Sequence, residues 1–220
     1  MEGRGESRAL FVSDMRHSPI DTLLIAADEA LRALSGAAVS SRPSPSGAHE
    51  EGGDAHQSAG LMRVNHTGEI CAQALYSGQS LFARDPVVRE ALQSAAAEER
   101  DHLAWCRARL DELGARPSLL DPLWYVGSFG IGVVSGLAGD RWSMGFLAET
   151  ESQVERHLQG HLDHLPSTDA RSRAVVEQMR VDEARHGQTG RDLGARELPL
   201  AVKIAMRIAS RVMTRTARYV

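Results

Sequence analysis

Glu99 and His102 stand three residues apart in "EERDH", and Glu183 and His186 repeat that spacing in "DEARH". On a helix, residues at i and i+3 share a face, so each pair can aim a carboxylate and an imidazole at one point. A single Glu-x-x-His is weak evidence for a metal, because Glu and His are common on solvated helix surfaces. Two copies in corresponding places are far stronger.

If each pair lies on one arm of an antiparallel helical hairpin, the opposite arm should offer a carboxylate at the same height. In such a hairpin, residues equidistant from the turn are level. Glu69 and Glu99 are thirty residues apart about Arg84, inside the turn signal "ARDP", where Asp85 can cap and Pro86 can open the next helix. Each then sits roughly 22 Å from the bend, at 1.5 Å per residue. Glu151 and Glu183 are thirty-two apart about Ser167, inside "LPSTD". Glu149 points to nearly the opposite face, and Glu155, which shares the face, needs a turn at Asp169; Glu151 is preferred and Glu155 stands second. Glu98 and Arg100 are expected to face elsewhere.

The candidate ligands are therefore Glu69, Glu99, His102, Glu151, Glu183 and His186. One Glu on each of two helices and Glu-x-x-His on each of two others is the ligand set of ferritin-like di-iron and di-manganese bundles. Carboxylates with imidazoles suit iron or manganese, and no thiolate is placed to favour zinc. Asp101, Asp182 and Glu155 are candidates to hold the outer nitrogen of a ligand histidine, although the plainer reading of each is a surface residue. His66, one turn before Glu69, suits either the site's edge or a capping or surface role. His157, His161 and His164 read as solvated or interfacial.

These ligands require a particular scaffold. A first helix is expected over "SPIDTLLIAADEALRAL", capped by Ser18, with an apolar stripe at 23, 24, 27, 31 and 34 and an end at Gly36. Residues 36–58 are small, polar and rich in Pro and Gly, and read as a flexible linker. Helices over about 59–83 and 86–113 form one hairpin, and helices over about 141–165 and 168–192 form the other. No strand-like alternation appears. The expected fold is all-α, a four-helix bundle with a long crossover between its second and third helices. An N-terminal helix in segment 1–35 and a C-terminal amphipathic helix complete it, with the bundle domain spanning 59–220.

Composition agrees with this class. The 220 residues are 42% hydrophobic and 25% charged with a net charge of −4, which fits one globular domain and gives no basic excess for nucleic acid. The first residues hold no apolar run of signal-peptide length, so export is not expected. Cys71 and Cys106 fit a reducing compartment and a packing role, without a disulfide.

Residues 122–139 carry no charge over eighteen positions, the lower edge of a membrane span. A single crossing, however, would put the two ligand halves on opposite sides of the bilayer. The stretch reads instead as the crossover, with an apolar face against the bundle, a lipid interface or both. Residues 198–218 set Lys203, Arg207, Arg211 and Arg215 beside an apolar stripe, the pattern of a membrane-surface or partner-binding helix.

Through "LMRVNHTGEICAQALYSGQ", "EERDHLAWC", "ETESQVERHL", "DEARHG" and "KIAMRIASRVMTRTARYV", the chain from about residue 59 onward resembles the ubiquinone-biosynthesis hydroxylases that act on demethoxyubiquinol, the 2-polyprenyl-3-methyl-6-methoxy-1,4-benzoquinol monooxygenases. The resemblance implies the same six ligands, a centre of two iron ions, O2 as oxidant and hydroxylation of a polyprenylated quinol. It also implies NADH as electron source, other ubiquinone-biosynthesis proteins as candidate partners, and a peripheral position on the cytoplasmic face of the inner (plasma) membrane. No glycine-rich nucleotide motif is present, so any NADH contact would be shallow or use a partner. The chain departs from the family's pattern at 36–58, which is longer and more polar. An iron-storage or ferroxidase protein of the ferritin type is the alternative; it would share the ligands but has no use for the uncharged crossover or the basic tail.

Overall fold

The structure, a computed structural model, describes residues 19–47 and 55–220. Ser18, expected to cap the first helix, lies outside them. Among the described residues there are seven helices and no strand: α1 (Pro19–Ser35), α2 (Ala55–Phe82), α3 (Pro86–Glu112), α4 (Asp121–Leu137), α5 (Asp140–His164), α6 (Ala170–Asp192) and α7 (Leu200–Tyr219). Helices α2, α3, α5 and α6 form the ferritin-like bundle, and α4 is the crossover.

The turns fall where the spacing placed them. Asp85 caps α3 by accepting from the Val87 amide at 2.9 Å, with Pro86 in the first turn. Asp140, at the head of α5, accepts from the Arg84 and Asp85 amides, which ties the first turn to the second hairpin. Asp169 caps α6 through the Ser172 amide at 2.9 Å. Gly139 takes φ 101°, a region open to glycine, and turns the crossover directly into α5.

Apolar packing lies on both sides of the ligand layer. Towards one end, Met62, Trp105, Leu110, Leu158, Val176 and Met179 pack together; towards the other, Leu75, Tyr76, Leu92, Met144 and Leu147 do so. The polar layer between them is thereby sealed above and below.

Crossover α4 lies against α2 at very short range. A β-carbon at Gly132 would strike the Leu75 carbonyl, and one at Gly136 would come within 2.9 Å of the Gln79 carbonyl oxygen. The glycines that lower helix propensity here are what allow the backbones to touch. Asp121, at the start of α4, is anchored to α2 by Thr67 Oγ1 at 2.7 Å and by His66 Nδ1 at 3.2 Å. His66 is thus buried beside Asp121 rather than on the surface, without a hydrogen-bond partner for either ring nitrogen. No helix of the described residues is long and apolar enough to cross a membrane.

Two expectations need correction. In α1, Leu24, Ala27, Leu31 and Leu34 of the expected stripe are exposed. The helix instead packs through Ala33 and Ala30 on Ile70, Ala74, Leu103 and Tyr125, because small alanines allow a closer approach than the leucine face. The segment read as a flexible linker is cut short at Ala55, where α2 begins, and its residues 40–42 are held to α3 and α6 by side-chain hydrogen bonds.

Candidate metal centre

All six candidate ligands converge, and all are buried, from 0% exposure at Glu99 and His102 to 6% at His186. His102 Nδ1 lies 3.0 Å from Glu99 Oε2, 3.4 Å from Glu69 Oε2 and 3.5 Å from Glu183 Oε1. His186 Nδ1 lies 3.2 Å from Glu99 Oε1, 3.3 Å from Glu183 Oε2 and 3.8 Å from Glu151 Oε1. Glu99 and Glu183 each present one oxygen to each histidine. The outcome is two overlapping four-residue groups, each with its ligand atoms within 4.8 Å of one another: Glu69, Glu99, His102 and Glu183, and Glu99, Glu151, Glu183 and His186.

Each group could hold one metal ion, with Glu99 and Glu183 common to both, Glu69 and His102 particular to one and Glu151 and His186 to the other. The electrostatics agree. Burial, reinforced by neighbouring Glu99, pushes the Glu69 carboxyl well above its usual range, and burial with Glu183 does the same to Glu151. At Glu99 burial acts in the same direction, but hydrogen bonds from His102 and His186 outweigh it and hold the group far below the carboxylate range. His102 is raised despite burial because four carboxylates surround it. Buried like charges repel strongly unless cations compensate them. Glu69 Oε2, Glu99 Oε1 and Glu151 Oε2 are buried without a hydrogen-bond partner, so the donor set fits a pair of divalent ions. The thiols stand apart, free and raised by burial, Cys71 to about 12.

The outer nitrogens of the two histidines face carboxylates across the α3–α6 interface, in a hydrogen-bond contact at His102 and only at ion-pair distance at His186, whose Nε2 has no hydrogen-bond partner. His102 Nε2, on α3, lies 3.0 Å from Asp182 on α6, while His186 Nε2, on α6, lies 3.4 Å from Glu98 on α3. Each acid directly precedes the Glu of its own Glu-x-x-His. An ionised carboxylate can only accept, so Asp182 favours a proton on His102 Nε2, which would leave Nδ1 free to donate its lone pair to a metal. Asp182 thus has the outer role for which it was a candidate, and it is not a surface residue. Glu98, expected to face elsewhere, reaches the centre's edge; the acid repeated before both motifs was the signal for it. Asp101 binds Ser41 and Arg42 instead, and Glu155 lies 3.9 Å from Arg180 on the surface.

Tyr76 was not anticipated. Wholly buried, it donates its hydroxyl to Glu151. Of the histidines read as solvated or interfacial, His157 and His161 have rings 4.0 Å apart; His157 is half-buried, and His161 is buried and held neutral, its pKa pushed down to about 2 by burial and then by His157 and Arg218.

Beside the ligands lies a largely apolar cavity of about 250 Å³, bounded by α2, α4, α5, α7 and, through Glu183, α6. Glu69, Glu151 and Glu183 form its inner wall, Trp124, Ile131, Phe146 and Leu158 its sides, and Met206 and Met213 of α7 its outer end. Asn65 Oδ1 and Thr150 Oγ1 belong to the same wall and have no hydrogen-bond partner.

The family model described as "Ubiquinone biosynthesis protein COQ7" matches residues 56–217. Curated relatives named 3-demethoxyubiquinol 3-hydroxylase include those of Ralstonia pickettii, 55% identical over 91% of this chain and 99% of the relative. That of Cupriavidus taiwanensis is 57% identical over 91% and 99%. That of Variovorax paradoxus is 55% identical over 91% and 98%.

Proposed function

Because the chain belongs to the ubiquinone biosynthesis protein COQ7 family, we propose that it is the 3-demethoxyubiquinol 3-hydroxylase of its organism, using O2 at a pair of iron ions held by Glu69, Glu99, His102, Glu151, Glu183 and His186. The carrying observation is the opening of two overlapping ligand groups onto an apolar cavity. A mineral-storing protein of the ferritin type has no use for that cavity, and family membership sets the alternative aside.

Bound iron would supply reductive activation of O2, which neither the quinol nor any side chain here can perform alone. The chain's own residues do the rest. The apolar walls bury the methoxy-methyl-benzoquinol ring and exclude water, which would otherwise intercept an activated oxidant. Asn65 Oδ1 accepts from a ring hydroxyl and Thr150 Oγ1 donates to or accepts from one, fixing which ring carbon faces Glu69, Glu151 and Glu183. Glu99 and Glu183, common to both ligand groups, would contribute to both metal positions, while Asp182 would keep His102 turned inward and Glu98 would add its charge beside His186. Overall, the ring C–H and O2 become C–OH and water at the cost of two electrons and two protons. NADH is the electron source we propose, reaching the centre by a shallow contact or through a partner protein of the same pathway.

The polyprenyl tail leaves past Met206 and Met213, between α4 and α7. These helices carry exposed Leu123, Val126 and Val134 on one side and Ile204, Ile208 and Val212 on the other, with Lys203, Arg207, Arg211 and Arg215 alongside. Apolar side chains flanked by cations suit the headgroup layer of an anionic bilayer, and we place the enzyme peripherally on the cytoplasmic face of the inner membrane, with α4 and α7 towards the lipid. Quinones extracted from cells lacking the protein test this reading. Accumulated demethoxyubiquinone, relieved by the wild-type chain, is expected; a normal quinone profile would overturn it.

A further inference from the structure

After α1, the chain turns at Gly36, which has φ 74°, and residues 40–42 cross the outside of α3 and α6. Asp101 receives this segment. Its Oδ1 accepts from the Ser41 amide at 2.6 Å and from the Ser40 and Ser41 hydroxyls at 3.2 and 3.1 Å, and its Oδ2 accepts from Arg42 Nε at 2.8 Å. The Arg42 guanidinium rests on Trp105, 4.8 Å from the ring centre. Its Nη1 then donates at 2.9 Å to Asp182 Oδ2, the same oxygen that lies 3.0 Å from His102 Nε2. Nη1 also stands 3.8 Å from Glu98 Oε2, which faces His186 Nε2 at 3.4 Å. One side chain from outside the bundle thus reaches the outer carboxylates of both histidines.

We propose that Arg42 is a positioning residue of the metal centre, holding Asp182, and with it His102, in the orientation that presents Nδ1 to the metal. The proposal rests on the metal-centre reading above. Asp182 Oδ1 is already occupied by Arg185 at 2.9 Å and Gln178 at 3.2 Å, so Arg42 is not needed to supply charge alone. It fixes the direction of Oδ2. The planar fork is what allows Nε and Nη1 to serve Asp101 and Asp182 together, and a lysine ammonium, a single point on a flexible stem, cannot divide itself between them. Residues 40–42 therefore act as a strap over the ligand layer, just ahead of the residues 56–217 that the family model matches.

The test uses full-length apoprotein titrated with Co(II), whose visible d–d absorption reports ligand geometry. Wild type, Arg42→Ala and Arg42→Lys are compared, with helix content and apo melting temperature recorded for each. The wild type is expected to bind two Co(II) per chain. Arg42→Ala should bind roughly tenfold more weakly or worse, the order lost when a group behind a metal ligand is removed, with a shifted absorption band. Arg42→Lys should fail to restore either property, while the apo melting temperatures stay close. Wild-type affinity and spectrum in Arg42→Ala would overturn the proposal, as would a lowered melting temperature with an unchanged band, which marks a purely structural strap. Full recovery in Arg42→Lys would overturn the fork argument. A wild-type chain that binds no Co(II) would instead strike at the metal-centre reading, and the positioning role would fall with it.

Discussion

His102 Nε2 and Asp182 Oδ2 stand 3.0 Å apart across the α3–α6 interface, while Glu98 Oε2 stands 3.4 Å from His186 Nε2, which has no hydrogen-bond partner. The two contacts are not equal: the Asp182 side chain is 2% exposed, while that of Glu98 is 27% exposed. Asp182→Asn should therefore lower retained iron after chelator dialysis by about 10-fold to 100-fold in affinity, and Glu98→Gln by less. The reverse order would show that the reciprocal arrangement does not govern metal retention.

Glu183 belongs to both ligand groups and Glu69 to one. Native mass spectrometry of reconstituted protein should find no metal on Glu183→Ala and a single ion on part of the Glu69→Ala population. Helix content should be nearly unchanged in both. Two ions on Glu183→Ala would remove it from the ligand set.

Gly132 faces the Leu75 carbonyl, whereas Gly130 faces open space. Gly132→Val should cost about 1–3 kcal/mol through overpacking, and more if α4 separates from α2. Gly130→Ala should be neutral or slightly stabilising through helix propensity. Thermal melts of the two variants separate a packing requirement from a general intolerance of side chains in α4.

Arg109 is 2% exposed and joins α3 to the cap of α6, donating to Asp169 at 3.0 Å and to Ser172 Oγ at 2.9 Å. Arg109→Met leaves a buried carboxylate short of its cation and should cost about 3–5 kcal/mol. Burial pushes Asp169 upward, but hydrogen bonds from Ser58 and Ser172 and the charge of Arg109 outweigh it, so its folded pKa is depressed. The stabilisation is then complete above the ordinary Asp range near ~3.9 and is lost as pH falls through the lower folded value. Denaturant melts should show the gap between wild type and variant widest near neutrality and narrowing below about pH 4. A constant gap would mean that Arg109 acts by packing alone.

Arg207, Arg211 and Arg215 are exposed on α7, while Met206 and Met213 of the same helix wall the cavity. Reversing the three charges to Glu should weaken pelleting with anionic vesicles and leave the cavity wall intact. Unchanged pelleting would remove the basic stripe from the membrane contact.

Much of the bundle was legible because an antiparallel hairpin turns sequence separation into height. Once Asp85–Pro86 and "LPSTD" are read as turns, Glu69 must stand level with Glu99, and Glu151 with Glu183. That logic concerns backbones, and it loses force where side-chain reach decides. Glu98 was set aside because only Glu99 stands three residues before His102, yet its carboxylate comes within 3.4 Å of His186. Tyr76 lies two turns from Glu69 and announced itself by no motif. Residues 40–42 have no periodicity, and nothing local in "SSR" names Asp101 or Asp182 as partners across roughly sixty and one hundred and forty residues. In α1 the larger leucines drew the prediction, but the close approach to α2 selected alanines.

The exchanged carboxylates also bear on how the molecule assembles. Neither hairpin is self-sufficient: His102 on α3 contacts Asp182 of α6, His186 on α6 faces Glu98 of α3, and each ligand group draws on both hairpins. A nascent chain that has folded only α2 and α3 would hold Glu69, Glu99 and His102 without the partners that aim them, and no half-site could capture iron in working form. The proposed metal site is therefore complete only once the contacts of longest sequence separation have closed and the two hairpins have met.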